Sequence, residues 1–144
     1  MPDIHEGGCL CGAVRYRIVG EPRLASVCHC TFCKHGTGSG FRVVTYFDEA
    51  AVEIISGVLK AYEYRSDESN RWLKLEFCPT CGTTVTWTAE WSPGGRAIAV
   101  GTLDDPNWIK PARHIWTRSA LHWIAFPSDV ELVETTPQRA NSVS

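Results

Sequence analysis

Much of the chain alternates between apolar and polar side chains with a period of two. In AVRYRIV (13–19), Val14, Tyr16 and Ile18 fall on one face and Arg15 and Arg17 on the other, the pattern of a half-buried strand. GEP (20–22) breaks it. FRVVTYF (41–47) is rich in β-branched and aromatic residues, which suit a pleated surface. VEII (52–55) and LKAYEY (59–64) flank Gly57 and predict a hairpin. RWLKLEF (71–77) sets Leu73, Leu75 and Phe77 against Lys74 and Glu76, then runs into CPTCG; TVTWT (84–88) leaves that turn. AIAVGTL (97–103) follows the Pro93-Gly94-Gly95 break. No long amphipathic helix is legible. The pattern predicts an all-β protein of short strands with little helix. It reads as one domain over residues 1–134, with a polar, mobile tail over 135–144.

The 144 residues suffice for one real core. Formal net charge is −2 and no basic run occurs, which argues against nucleic acid as a partner. No apolar run approaches the roughly 20 residues of a membrane span, and MPDIHEGG offers no apolar stretch of a secretory signal. The expectation is a cytoplasmic protein with no membrane partner. Six tryptophans are many for this length. Trp116 and Trp123, in HIWTRSALHWIAF, read as core packing in preference to the wall of a pocket.

The seven cysteines change the picture. They occur only in clusters: CLC (Cys9, Cys11), CHCTFC (Cys28, Cys30, Cys33) and CPTC (Cys78, Cys81). A reducing compartment disfavours disulfides, and an odd count would leave one thiol over. Scattered buried thiols would not cluster in this way, so metal is the better reading. CLCG and CPTCG both end in Cys-Gly, as zinc turns do, where the backbone takes positive φ while an amide approaches sulfur. Pairing them assigns Cys9, Cys11, Cys78 and Cys81 to a closed structural zinc site. In an extended segment Cys9 and Cys11 would share a face.

Cys28, Cys30 and Cys33 remain, and Lys34 follows Cys33 where the other turns have glycine. Three thiolates leave one tetrahedral corner of a zinc ion free, as catalytic sites do. Alternatively His29 or His35 completes an ordinary Cys₃His site. His29 stands between two ligands, so its ring is expected to point away; His35 is better placed. GTGSG (36–40) reads as a plain loop that also permits close backbone approach.

GGCLCGAVRY, CHCTFCKHGTGSGF, FCPTCGTTV, GTLDDP and HIW together resemble the glutathione-dependent formaldehyde-activating enzyme family, whose domain also occurs in centromere-protein-V-like proteins. The resemblance covers roughly residues 7–126. It implies a zinc-bound antiparallel β-tent with two zinc ions. One is structural, on the pairs matching Cys9, Cys11, Cys78 and Cys81. The other is a proposed catalytic ion on the motif matching Cys28, Cys30 and Cys33. It implies carbon–sulfur lyase chemistry, joining formaldehyde and glutathione as S-hydroxymethylglutathione. The expected partners are therefore a small thiol such as glutathione and an aldehyde. His29 and His35 are the candidates for proton transfer, and Lys34, His35 and Arg42 for charge near a substrate carboxylate. The competing expectation is a zinc-stabilised protein-binding module without catalysis, which a thiol-dependent turnover assay would separate from the enzyme.

Overall fold

The computed structural model describes residues 3–67 and 69–136. Two sheets carry the chain. The smaller contains β1 (Ile4–Gly8), β2 (Arg15–Val19) and β5 (Val52–Ser56), in the order β1-β2-β5. The larger adds β3 (Leu24–Cys28), β4 (Arg42–Asp48), β6 (Lys60–Arg65), β7 (Trp72–Phe77), β8 (Thr84–Ala89), β9 (Gly95–Ala99), β10 (Arg113–Ile115) and β11 (Glu131–Val133). Its order is β11-β10-β3-β4-β9-β8-β7-β6. The pairing is antiparallel except around β10, which runs parallel to both β3 and β11. One α-helix, α1 (Thr31–Thr37), follows β3. The all-β expectation holds, with little helix.

The alternation in β2 places its side chains as expected. Tyr16 and Ile18 are wholly buried between the sheets, while Arg15 and Arg17 pair outside with Asp104 and Glu6 at 3.0 Å. The main core unites Val14, Tyr16, Ile18, Phe47, Val85, Ile98 and Leu103. Tyr46, Leu75, Trp87, Ala89 and Ala97 form a second cluster. In β4 the period of two explains the division: Phe47 enters the first cluster and its neighbour Tyr46 the second.

The hairpin expected around Gly57 does not form. β5 pairs with β2, and β6 pairs with β7 in the other sheet, so residues 57–59 carry the chain from one sheet to the other. Gly57 has φ +89°, and a Cβ there would lie 2.3 Å from the Ala13 carbonyl oxygen and 2.8 Å from Val14 Cα. The glycine marks a close crossing, not a two-strand turn. The strand expected over 97–103 ends at Ala99, and Val100–Thr102 form a 3₁₀ turn whose Thr102 hydroxyl meets Tyr16 Oη at 2.7 Å.

Of the tail expected from Thr135, two residues are described. The Thr135 carbonyl accepts the Trp116 amide, and the Thr136 hydroxyl accepts its indole N–H. Residues 137–144 lie outside the described part. Among the described residues no helix is long and apolar enough to cross a membrane.

Candidate metal centres and the adjoining cavity

All seven cysteines are free thiols, and their sulfurs gather into the two groups the spacing indicates. The sulfurs of Cys9, Cys11, Cys78 and Cys81 lie within 4.8 Å of one another. Cys9 and Cys11 are 3.6 Å apart, and Cys11 and Cys78 3.8 Å. Four sulfurs about 2.3 Å from a central zinc ion would be about 3.8 Å apart, which these two contacts match. The glycines behave as the turn chemistry requires: Gly12 has φ +82° and Gly82 φ +80°. Each donates its amide to the carbonyl of the first cysteine of its turn, Cys9 or Cys78. Amides of Val14 and Thr80 point at the sulfurs of Cys9 and Cys78, at 3.2 and 3.4 Å. Cys9 and Cys11 meet through a turn, not along a strand; Leu10 is its exposed tip.

The three-cysteine group is built differently. Cys28 ends β3 and Cys30 is the N-cap of α1, its sulfur accepting the Cys33 amide at 3.3 Å. Cys33 sits one turn into the helix, so strand end, cap and first turn bring three sulfurs within 4.8 Å. Crowding splits their protonation. Hydrogen bonds from Cys28 and Cys33 hold the Cys30 thiol down to about 3. The same contact with Cys30 pushes Cys28 up to about 12, and Cys28 and Cys30 together push Cys33 far up. Three sulfurs this close cannot all ionise unless a cation lies between them, and a divalent ion suits the set.

Neither histidine joins this group. His29 is wholly buried, its Nε2 2.8 Å from His114 Nδ1, and its ring packs between Phe41 and Phe126. Burial lowers the pKa of both imidazoles. The His29 amide donates to the Ile115 carbonyl, and Ile115 is in register with Cys28. β10 thus holds the cysteine-bearing strand from the side opposite β4, which gives the HIW motif a structural role. Replacing His114 by Ala would leave a buried imidazole without its partner and should cost about 2 kcal/mol in urea unfolding. An unchanged midpoint would show that His29 does not depend on this bond. His35 is exposed on α1.

A cavity of about 160 Å³ opens beside the three sulfurs. Cys28, Cys30 and Cys33 form one part of its wall, and β6, β7, β8, β10 and Thr136 supply others. The large sheet therefore curls so that strands near both its ends face one space. Phe32 of α1 stacks on Tyr64 of β6 at 4.4 Å between centroids, closing the curl. Of the two tryptophans read as core, Trp116 is a half-buried wall of this cavity and Trp123 is 75% exposed. The four-cysteine cluster lines neither this cavity nor a second one beside Gly36 and Gly101.

Arg42, one of the three residues expected to carry charge near a substrate, is part of the cavity wall. It is 5% exposed, with its guanidinium 4.8 Å above Trp87 and 5.8 Å from Phe32. Gly36 gives it room, since a Cβ there would lie 2.7 Å from Arg42 Nη2. The close approach that GTGSG permits is thus to an arginine. The strand period sets its direction: Arg42, Val44 and Tyr46 share a face of β4 and all line the cavity.

A family model described as glutathione-dependent formaldehyde-activating enzyme matches residues 4–119. An uncharacterized lyase of Schizosaccharomyces pombe is 34% identical over 86 residues, covering 59% of this chain and 57% of that protein. A Halomonas elongata protein, provisionally named a glutathione-dependent formaldehyde-activating enzyme, is 28% identical over 83 residues, covering 56% of this chain and 53% of its own. The chain thus aligns with little more than half the length of these curated relatives. A crystal structure of a Rhodobacter sphaeroides protein shares the fold, with a TM-score of 0.53 at 23% identity over 74% of this chain and 91% of that one. The match of the family model to most of the chain carries the conclusion: this protein belongs to the glutathione-dependent formaldehyde-activating enzyme family.

Proposed function

We propose that the chain is a zinc-dependent carbon–sulfur lyase-type enzyme acting on adducts of glutathione, or another small thiol, with an aldehyde. The observation that carries this reading is the difference between the clusters: three sulfurs open on a cavity, while four close on themselves. In this reading Cys9, Cys11, Cys78 and Cys81 hold a structural zinc ion, and Cys28, Cys30 and Cys33 hold the ion of the site. Zinc bound there supplies a Lewis acid that favours the thiolate form of a small thiol near neutral pH.

The reaction joins thiol sulfur to carbonyl carbon while the thiol proton passes to the carbonyl oxygen, or runs in reverse. His29 is committed to His114, and His35, two positions beyond Cys33, is exposed and lies outside the cavity wall, so in this reading it exchanges that proton by way of solvent. The Lys34 ammonium donates to the Ser119 carbonyl and ties α1 to the segment after β10. In this reading Arg42, one of three arginines in the cavity wall, meets a substrate anion. Seven free thiols suit a reducing compartment such as the cytoplasm.

The test is turnover of a panel of aldehydes by zinc-loaded protein with and without glutathione. Thiol-dependent turnover should fall about 100-fold or more in Cys30→Ser, beyond the loss typical of outer-shell changes. Fully loaded protein without any thiol-dependent turnover would sink the reading.

A further inference from the structure

We propose that the cavity beside the three cysteines binds the carbonyl half of the substrate, and that this half is a ring-sized apolar group bearing a carboxylate. The proposal rests on the carbon–sulfur reading only in naming which half of the substrate enters.

Size comes first. The cavity holds about 160 Å³. An apolar cavity of about 150 Å³ accepts benzene. Formaldehyde would leave most of the space empty. The walls suit a ring, since Tyr46, Trp72, Trp87, Trp91 and Trp116 all face it. Aromatic walls reward another flat apolar group by edge and stacking contacts beyond its buried area.

Charge comes second. The whole chain carries more acid than base, 16 residues against 14. Yet the described walls carry Arg42, Arg71 and Arg113, and neither Asp nor Glu. Both terminal nitrogens of Arg42 are buried without a hydrogen-bond partner, and so is Nη1 of Arg71. A guanidinium cannot shed its proton, so burying one unpaired is costly. The thiolates beside a divalent ion would leave about one excess negative charge against three guanidinium groups, so positive charge is left over among the described walls. A carboxylate fits best, because its two oxygens match the guanidinium fork. Glutathione also carries carboxylates but no ring-sized apolar group, so the ring distinguishes the two sources.

The experiment titrates zinc-loaded protein with benzoate, acetate and benzyl alcohol, reading tryptophan fluorescence and calorimetric heat. Benzoate should bind at least tenfold more tightly than either acetate, which lacks the ring, or benzyl alcohol, which lacks the charge. Arg42→Met should erase the preference for benzoate over benzyl alcohol, and Arg42→Lys should keep part of it. Circular dichroism and zinc content establish that each variant is folded; if Arg42→Met is not, the three-probe comparison on the unaltered chain still decides. Acetate or benzyl alcohol binding as tightly as benzoate would overturn the proposal. So would an undiminished preference in folded Arg42→Met. Loss of benzoate binding in Cys30→Ser would also overturn it, by showing that the metal, not the arginines, holds the carboxylate. Failure of the carbon–sulfur reading looks different: no thiol-dependent turnover of any aldehyde, with the benzoate preference intact.

Discussion

Cys78→Ser should leave little soluble folded protein. The four-sulfur cluster ties the turn after β1 to the turn after β7, and its Cys11–Cys78 contact spans 67 positions. Cys78 is 1% exposed and packs with Val14, Tyr16 and Val85 in the main core. A metal bound by such a cluster binds only the folded chain, so its binding energy, on the order of 10 kcal/mol, is folding energy. Whole domains hold about 5–15 kcal/mol in reserve. On the proposed reading, Cys30→Ser removes a ligand from a cluster confined to one short segment, and should stay folded while its zinc content falls from about two to about one. Circular dichroism, thermal melting and elemental analysis of both variants make the comparison. If Cys78→Ser melts like the unaltered chain while Cys30→Ser is unfolded, the two roles are exchanged.

The second large effect is expected at a residue with no chemistry. Gly57→Ala should cost about 4 kcal/mol. Holding a non-glycine residue at φ +89° costs about 1–3 kcal/mol. The new methyl would also meet the Ala13 carbonyl oxygen and Val14 Cα, backbone atoms that cannot swing aside as a flexible side chain can. Overpacking of this kind adds about 1–3 kcal/mol. Gly20→Ala is the control: it has a similar φ, +91°, and nothing within 4 Å of the new Cβ, so it should show only the strain. Chemical denaturation of the pair separates the two contributions. Equal losses would mean that residues 57–59 do not cross as closely as described.

β2 and β7 were legible in the sequence because their two faces differ in polarity and the period shows. β4 and β8 are buried on both faces and emerge instead from their β-branched and aromatic residues. β1 reads IHEGG and β3 reads LASVC, in which small side chains blur the alternation. β10 and β11 have three residues each, too few to show a period. α1 spans seven residues, is capped by a thiol and contains glycine and two threonines, so neither propensity nor periodicity marks it. Gly57 misled for a physical reason: positive φ serves a crossing as well as a hairpin.

The site divides in the same way. The cysteine clusters reveal themselves because side chains able to share one ion fall within a few residues of one another. Walls do not. Arg42, Tyr64, Arg71, Trp87 and Trp116 meet only through long-range strand pairing, and no local spacing records that. Trp116 lies next to Ile115, whose register with Cys28 sets it at the site, yet an isolated tryptophan reads as core.

The placement of the cysteines also bears on the order in which a growing chain would meet the metals proposed for it. The N-terminal part leaves the ribosome first, so five sulfurs, Cys9 to Cys33, are present before Cys78 and Cys81 emerge. Those five could share one ion in wrong combinations. α1 would work against this, because one helical turn gathers Cys30 and Cys33 locally, and in the folded chain the Cys33 amide lies on the Cys30 sulfur. A nascent chain that forms this turn early would load the open cluster first. Cys9 and Cys11 then stay available for the late-arriving CPTC turn, and the knot that fastens the fold is tied last.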